Sequence, residues 1–81
     1  MPEVSGTVCL ADGKPVEGVL VMGADLNYAE TDAQGRFRLV RPEMALFFWC
    51  TGFLPAAHVL NSGERSVHIV LRRAAAMRAL A

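Results

Sequence analysis

The chain has 81 residues, of which 53% are apolar and 20% charged, and eight basic side chains balance eight acidic ones. A chain this short forms one domain that buries only about 60 to 65% of its unfolded surface, so such apolar content leaves surface for a partner. Balanced charge supplies no field toward nucleic acid or anionic lipid, and the longest apolar run, Met44 to Cys50, falls well short of the roughly 20 residues of a membrane helix.

The opening residues Met1-Pro2-Glu3-Val4-Ser5-Gly6 enter a strand pattern directly, without a basic stretch followed by an apolar one. The expected location is therefore cytoplasmic by default, and extracellular or periplasmic if the sequence is a piece of a longer exported chain. Val4, Gly6, Val8 and Leu10 alternate with Ser5, Thr7 and Cys9, the period of a half-buried strand. Ala11-Asp12-Gly13-Lys14 turns the chain, and Pro15 opens a second strand with Val19 and Val21 on one face and Leu20 and Met22 on the other. A loop at Asp25-Leu26-Asn27 precedes a short third strand, Tyr28 to Thr31.

Thr31-Asp32-Ala33-Gln34-Gly35 is the clearest local signal, because Asp32 can accept backbone N–H bonds ahead of it while Gly35 takes a positive φ. The fourth strand, Arg36 to Val40, is expected to partner the third across this turn, with Phe37 and Leu39 on one face. Arg41-Pro42-Glu43 ends it. In the fifth strand, Met44 to Thr51, Met44, Leu46, Phe48 and Cys50 oppose Ala45, Phe47 and Trp49, so neither face is polar. After Gly52, extended structure resumes from Phe53 to Leu60, Asn61-Ser62-Gly63-Glu64 turns, and Val67, Ile69 and Leu71 alternate with His68, Val70 and Arg72.

Seven short strands at this spacing predict an all-β, antiparallel sandwich over residues 1–72. Its expected core is Val8, Leu10, Val19, Val21, Phe37, Leu39, Leu46, Phe48, Val59, Val67, Ile69 and Leu71. The Ala- and Arg-rich tail, 73–81, has the composition for about two helical turns, marginal in isolation.

Gly6-x-Val8, Gly13-Lys14-Pro15-Val16-Glu17-Gly18-Val19-x-Val21, Thr31-Asp32-x-x-Gly35-x-Phe37-x-Leu39 and Gly52-Phe53-x-Pro55 follow one another in order. This set resembles the carboxypeptidase regulatory-like domain, a transthyretin-like (prealbumin-like) sandwich, over about residues 3 to 72. The resemblance implies a noncatalytic accessory module, because members of that superfamily are appended to peptidases, receptors, surface proteins and secretion machinery. It also implies that the second, third, fifth and sixth strands share one sheet and the first, fourth and seventh the other. Hydroxyisourate hydrolase has the same fold but ends in Tyr-Arg-Gly-Ser, which this chain lacks. Lys14 and Asn61 both fall in turns, which argues against an intramolecular isopeptide bond.

On that strand order Leu20, Met22, Phe47 and Trp49 share one outward face, with Tyr28 and His58 near its margins. Aromatic and Met side chains bury large areas at little entropic cost, so these six residues form the expected protein interface. The function expected is a protein-binding or scaffolding module, either a homo-oligomer or an adaptor of a larger bacterial-type assembly. The bland alternative is that the tail or a loop covers the face. A second functional reading is carbohydrate or small-ligand binding on the aromatic platform, with Tyr28, Glu30 and His58 as polar groups.

The opposite sheet should present Thr7, Cys9, Arg36, Arg38, His68, Val70 and Arg72. Its arginines are suited to grip an anion, though the ordinary expectation is a solvated face offset by acids. Cys9 outward and Cys50 inward disfavour a disulfide, and the pair has neither metal-ligand nor Cys-x-x-Cys spacing. His58 and His68 fall on different sheets, which excludes a shared metal site. Cys9 and His68 approach one another on the first and seventh strands, but without an orienting acid or oxyanion donors. No nucleophile elbow, phosphate loop or paired carboxylates at helical spacing occur, so neither catalysis nor a cofactor is expected.

Overall fold

The structure is a computed structural model, and it describes residues 3–24, 27–40 and 44–74. Seven strands make up the regular structure of the described residues: β1 Glu3–Cys9, β2 Leu20–Gly23, β3 Tyr28–Glu30, β4 Arg36–Val40, β5 Ala45–Trp49, β6 Ala56–Val59 and β7 Ser66–Val70. No helix occurs among the described residues. The expected strand break at 41–43, residues 25–26 of the expected loop, and residues 75–81 of the expected helical tail lie outside them. Arg73 bridges Phe53, and the Ala74 N–H donates to the Gly52 carbonyl at 3.0 Å, joining the final described residues to the segment that enters β6.

The strands form a three-stranded sheet in the order β4-β1-β7 and a four-stranded sheet in the order β3-β2-β5-β6. All pairs are antiparallel except one: β1 and β7 run parallel, so the wholly antiparallel expectation is corrected there. A parallel pair needs a long connection, and this one is supplied by the whole of the intervening chain. A second correction concerns β3 and β4, which do not pair with one another. β3 pairs with β2 and β4 with β1, so the turn between them carries the chain from one sheet to the other.

That turn has the local chemistry its residues call for. One Asp32 carboxylate oxygen accepts from the Gln34 and Arg36 N–H groups, each at 2.9 Å, and the Gly35 N–H donates to the Asp32 carbonyl at 2.8 Å. Gly35 has φ 74°. Any Cβ there would collide with the Val8 carbonyl, because the Gly35 carbonyl accepts the Val8 N–H at 2.7 Å and draws the turn onto β1.

Inward residues of both sheets meet in one core of Val4, Val8, Val16, Val19, Val21, Phe37, Leu39, Leu46, Phe48, Val67, Ile69 and Leu71. Phe37 from one sheet meets Phe48 from the other edge to face, with ring centroids 5.7 Å apart. Leu10 is only half-buried against this core. Val59, expected inside, is 72% exposed. The β5–β6 register pairs Leu46 with His58 and Ala45 with Val59, and opposed residues share a face, so His58 lies on the core side and Val59 outside. Leu60 packs on the core instead, its N–H bonded to the Met44 carbonyl at 2.7 Å.

Thr31 is the one buried polar side chain among the described residues. Its hydroxyl donates to the Val16 carbonyl at 2.7 Å and accepts the Val19 N–H at 2.9 Å, stitching the approach to β2 onto the end of β3.

Candidate functional site

β2 and β5 are the central strands of the four-stranded sheet, and their register sets Leu20 opposite Trp49 and Met22 opposite Phe47. β3 adds Glu30 opposite Leu20 and Tyr28 opposite Met22, and β6 adds Ala57 opposite Phe47. Cross-strand partners share a face, so two rows cross the outside of the sheet: Glu30-Leu20-Trp49 and Tyr28-Met22-Phe47-Ala57. Val59 and Ala45 extend the apolar surface toward the free edge at β6.

Leu20, Met22 and Phe47 are half-buried, whereas Trp49 is 44% and Tyr28 68% exposed. Phe47 and Trp49 stack with centroids 5.9 Å apart and planes 27° from parallel. Alternation explains the inner face of β5, where Leu46 and Phe48 are wholly buried, but nothing in the core requires aromatic rings at 47 and 49. Glu30 is the sole charged group among the outward residues of these four strands.

Of the six residues expected at this face, five lie together on it and His58 does not. His58 points to the core side of the β6 edge, where Nε2 stands 3.1 Å from both carboxylate oxygens of Glu64. Glu64 also accepts the Asn61 N–H at 3.0 Å. That backbone bond and the His58 imidazole hold its carboxyl below the usual carboxylate range. Val59 and Ala57 take the place on the face that sequence alternation allots to His58. The signal for this lay in Leu60, whose apolar side chain completes the inward series Ala56, His58, Leu60.

The outer face of the three-stranded sheet is polar, as its alternation predicts. Arg36 pairs with Asp32 at 3.6 Å and Arg38 with Glu3 at 3.5 Å, all well exposed, so these pairs contribute little to stability. Cys9 shares this face with Thr7 yet is buried beneath His68 and beside Pro15. Cys9 and Cys50 are free thiols, and no group of three or more potential metal ligands occurs among the described residues. No helix among them is long and apolar enough to cross a membrane.

Neither a protein-family model nor a curated protein matches this chain.

Proposed function

We propose that the chain is a noncatalytic docking module of the transthyretin-like class, related to carboxypeptidase regulatory-like domains, that binds another protein surface through the outer face of its four-stranded sheet. The grouping of β1, β4 and β7 in one sheet and β2, β3, β5 and β6 in the other is the one the family resemblance implies, and it supports this class. The observation that carries the function is the apolar outer face itself, with Leu20, Met22, Phe47 and Trp49 in two aligned rows and Tyr28 and Val59 exposed at either side. An exposed apolar surface with stacked aromatics at its centre is the anatomy of an interface core.

Self-association is the form of docking tested first, because it needs no other component. Sedimentation equilibrium of the chain over a wide concentration range, beside Trp49→Ser, reads it directly. A wild-type oligomer that dissociates in the variant, with thermal unfolding unchanged, supports the reading. A wild-type oligomer that the variant retains removes this face as the contact. The adaptor form is probed by cross-linking to neighbouring proteins from a photoreactive group at position 57 or 59, which should capture the same protein that Trp49→Ser releases.

Carbohydrate binding is the lesser reading. The Phe47–Trp49 stack favours it, but His58, one of its three polar groups, faces the other way, leaving Tyr28 and Glu30.

A further inference from the structure

Four strands form the edges of the two sheets: β3 and β6 of one, β4 and β7 of the other. Edge strands present unpaired backbone groups, which proteins commonly blunt with charge, proline or short length. β3 has three residues and carries Glu30, and β4 carries Arg36 and Arg38 on its exposed face. The continuation of β7 is held by the segment before β6, where the Leu54 N–H donates to the Arg72 carbonyl at 2.8 Å. β6, Ala56-Ala57-His58-Val59, has neither a charged outward side chain nor an internal proline, and its register with β5 runs without a bulge.

The ladder shows which backbone groups of β6 are left over, because bonded and non-bonded pairs alternate along antiparallel strands. The Leu60 N–H donates to the Met44 carbonyl at 2.7 Å, so His58 with Leu46 and Ala56 with Phe48 are the bonded pairs. Ala57 and Val59 therefore point their N–H and C=O groups away from β5. The Gly23 N–H, which donates to the Asn27 carbonyl at 2.8 Å, gives the same phase when followed across β2 and β5. Among the described residues β6 pairs with no strand but β5, and Ala57 and Val59 are both exposed.

A groove of about 230 Å³ lies between the start of β6 and the end of β7, lined by Leu54, Pro55, Ala56, Val70, Leu71 and Arg72. Arg72, its one charged lining residue, has no carboxylate partner among the described residues. Ala56 faces inward, so a strand added to β6 would point the side chain opposite Ala56 over this groove. A second copy paired antiparallel through Ala57 and Val59 would set Leu60, His58 or Ser62 there, according to register. Leu60 packs on its own core, His58 is held by Glu64, and Ser62 is small and polar. We propose that β6 is a strand-addition site for an extended segment of another protein. The segment's backbone bonds to Ala57 and Val59, a large apolar side chain fills the groove, and a carboxylate stands beside Arg72. This contact is separate from the outer face of the sheet and does not depend on it.

The test selects random peptides of about seven residues, an ordinary strand length, by phage display against the full chain, and titrates the enriched peptides in synthetic form. They should share a large apolar residue with an acid close by, and binding should protect the Ala57 and Val59 amides from hydrogen exchange. Val59→Pro removes an N–H that faces solvent, a place where an edge strand tolerates proline, and should weaken binding by about tenfold or more with thermal unfolding close to wild type. Arg72→Gln should weaken the acidic peptides and leave their amide counterparts unchanged. Tyr28→Ser, on the far strand of the same sheet, should change nothing. No enrichment above a selection without the chain, or binding that Val59→Pro retains, would overturn the site. Amides at 57 and 59 left open in the wild-type complex would overturn it even if Val59→Pro failed to fold. Equal loss in Tyr28→Ser would move the contact onto the outer face, and a dimer of the chain alone that protects these amides would assign the edge to a second copy.

Discussion

Thr31 offers the sharpest check on how the segment entering β2 is tied to the end of β3. Thr31→Val preserves the shape of the side chain and removes only the hydroxyl, at a position 4% exposed. The variant leaves the Val16 carbonyl without its 2.7 Å donor and the Val19 N–H without its 2.9 Å acceptor, beside a Val19 side chain that is wholly buried. An unsatisfied buried polar group costs about 1–3 kcal/mol. Two such groups, each partly relieved by local adjustment, give about 2–3 kcal/mol. For a domain of this size that lowers Tm by about 10 to 20 °C. Thr31→Ser keeps both bonds and loses one methyl group, at a cost of about 1 kcal/mol. Chemical denaturation of the three proteins, with m-values compared to confirm a common unfolding transition, reads the difference. If Thr31→Val lies within about 0.5 kcal/mol of wild type, the level of an ordinary surface change, the stitch does not exist as described.

The β5–β6 register predicts opposite outcomes for two apolar residues. Phe48→Ala, deep in the core against Phe37, should cost about 3–5 kcal/mol, whereas Val59→Ala should stay within about 0.5 kcal/mol; a large loss at Val59 would mean that β6 is shifted by one residue. Asp32 and Glu64 predict an acid-sensitive fold. The Arg36 N–H foremost, with the Gln34 N–H and the Arg36 charge, holds Asp32 below the usual carboxylate range, as the Asn61 N–H and His58 hold Glu64. A carboxylate depressed in the folded state stabilises above its unfolded pKa, and that contribution is lost as pH falls through the folded value. Tm should therefore fall as the solution is acidified below about pH 5, and an Asp32→Asn/Glu64→Gln variant should show a flatter profile; the same slope in both proteins would assign the acid sensitivity elsewhere.

The turn at Asp32–Gly35 and the strand β4 after it are legible in the sequence because their causes are local. An Asx bond, a positive φ and strict alternation need nothing from distant residues. Leu20, Met22, Phe47, Trp49 and Tyr28 were likewise placed together by alternation, once the family resemblance supplied the strand order. An apolar residue at an outward position stays outward wherever the sheet sits. The same local logic misled at β3 and β4: a chain reversal says that the direction changes, not that the two arms pair.

Relations between segments far apart in the chain are set by packing. Ala56-Ala57-His58-Val59 alternates too weakly to choose a face, and pairing with β5 chose it, turning His58 inward to Glu64 and Val59 outward. Thr31 reads as an ordinary strand-end residue until Val16 and Val19 bring their backbone groups to its hydroxyl. Thr7, Cys9 and His68 meet because β7 runs parallel to β1, a direction set by how the whole intervening chain wraps the core. Local propensity acts through bonds within a few residues, whereas register, strand direction and the burial of a polar group are decided by which distant surfaces pack together.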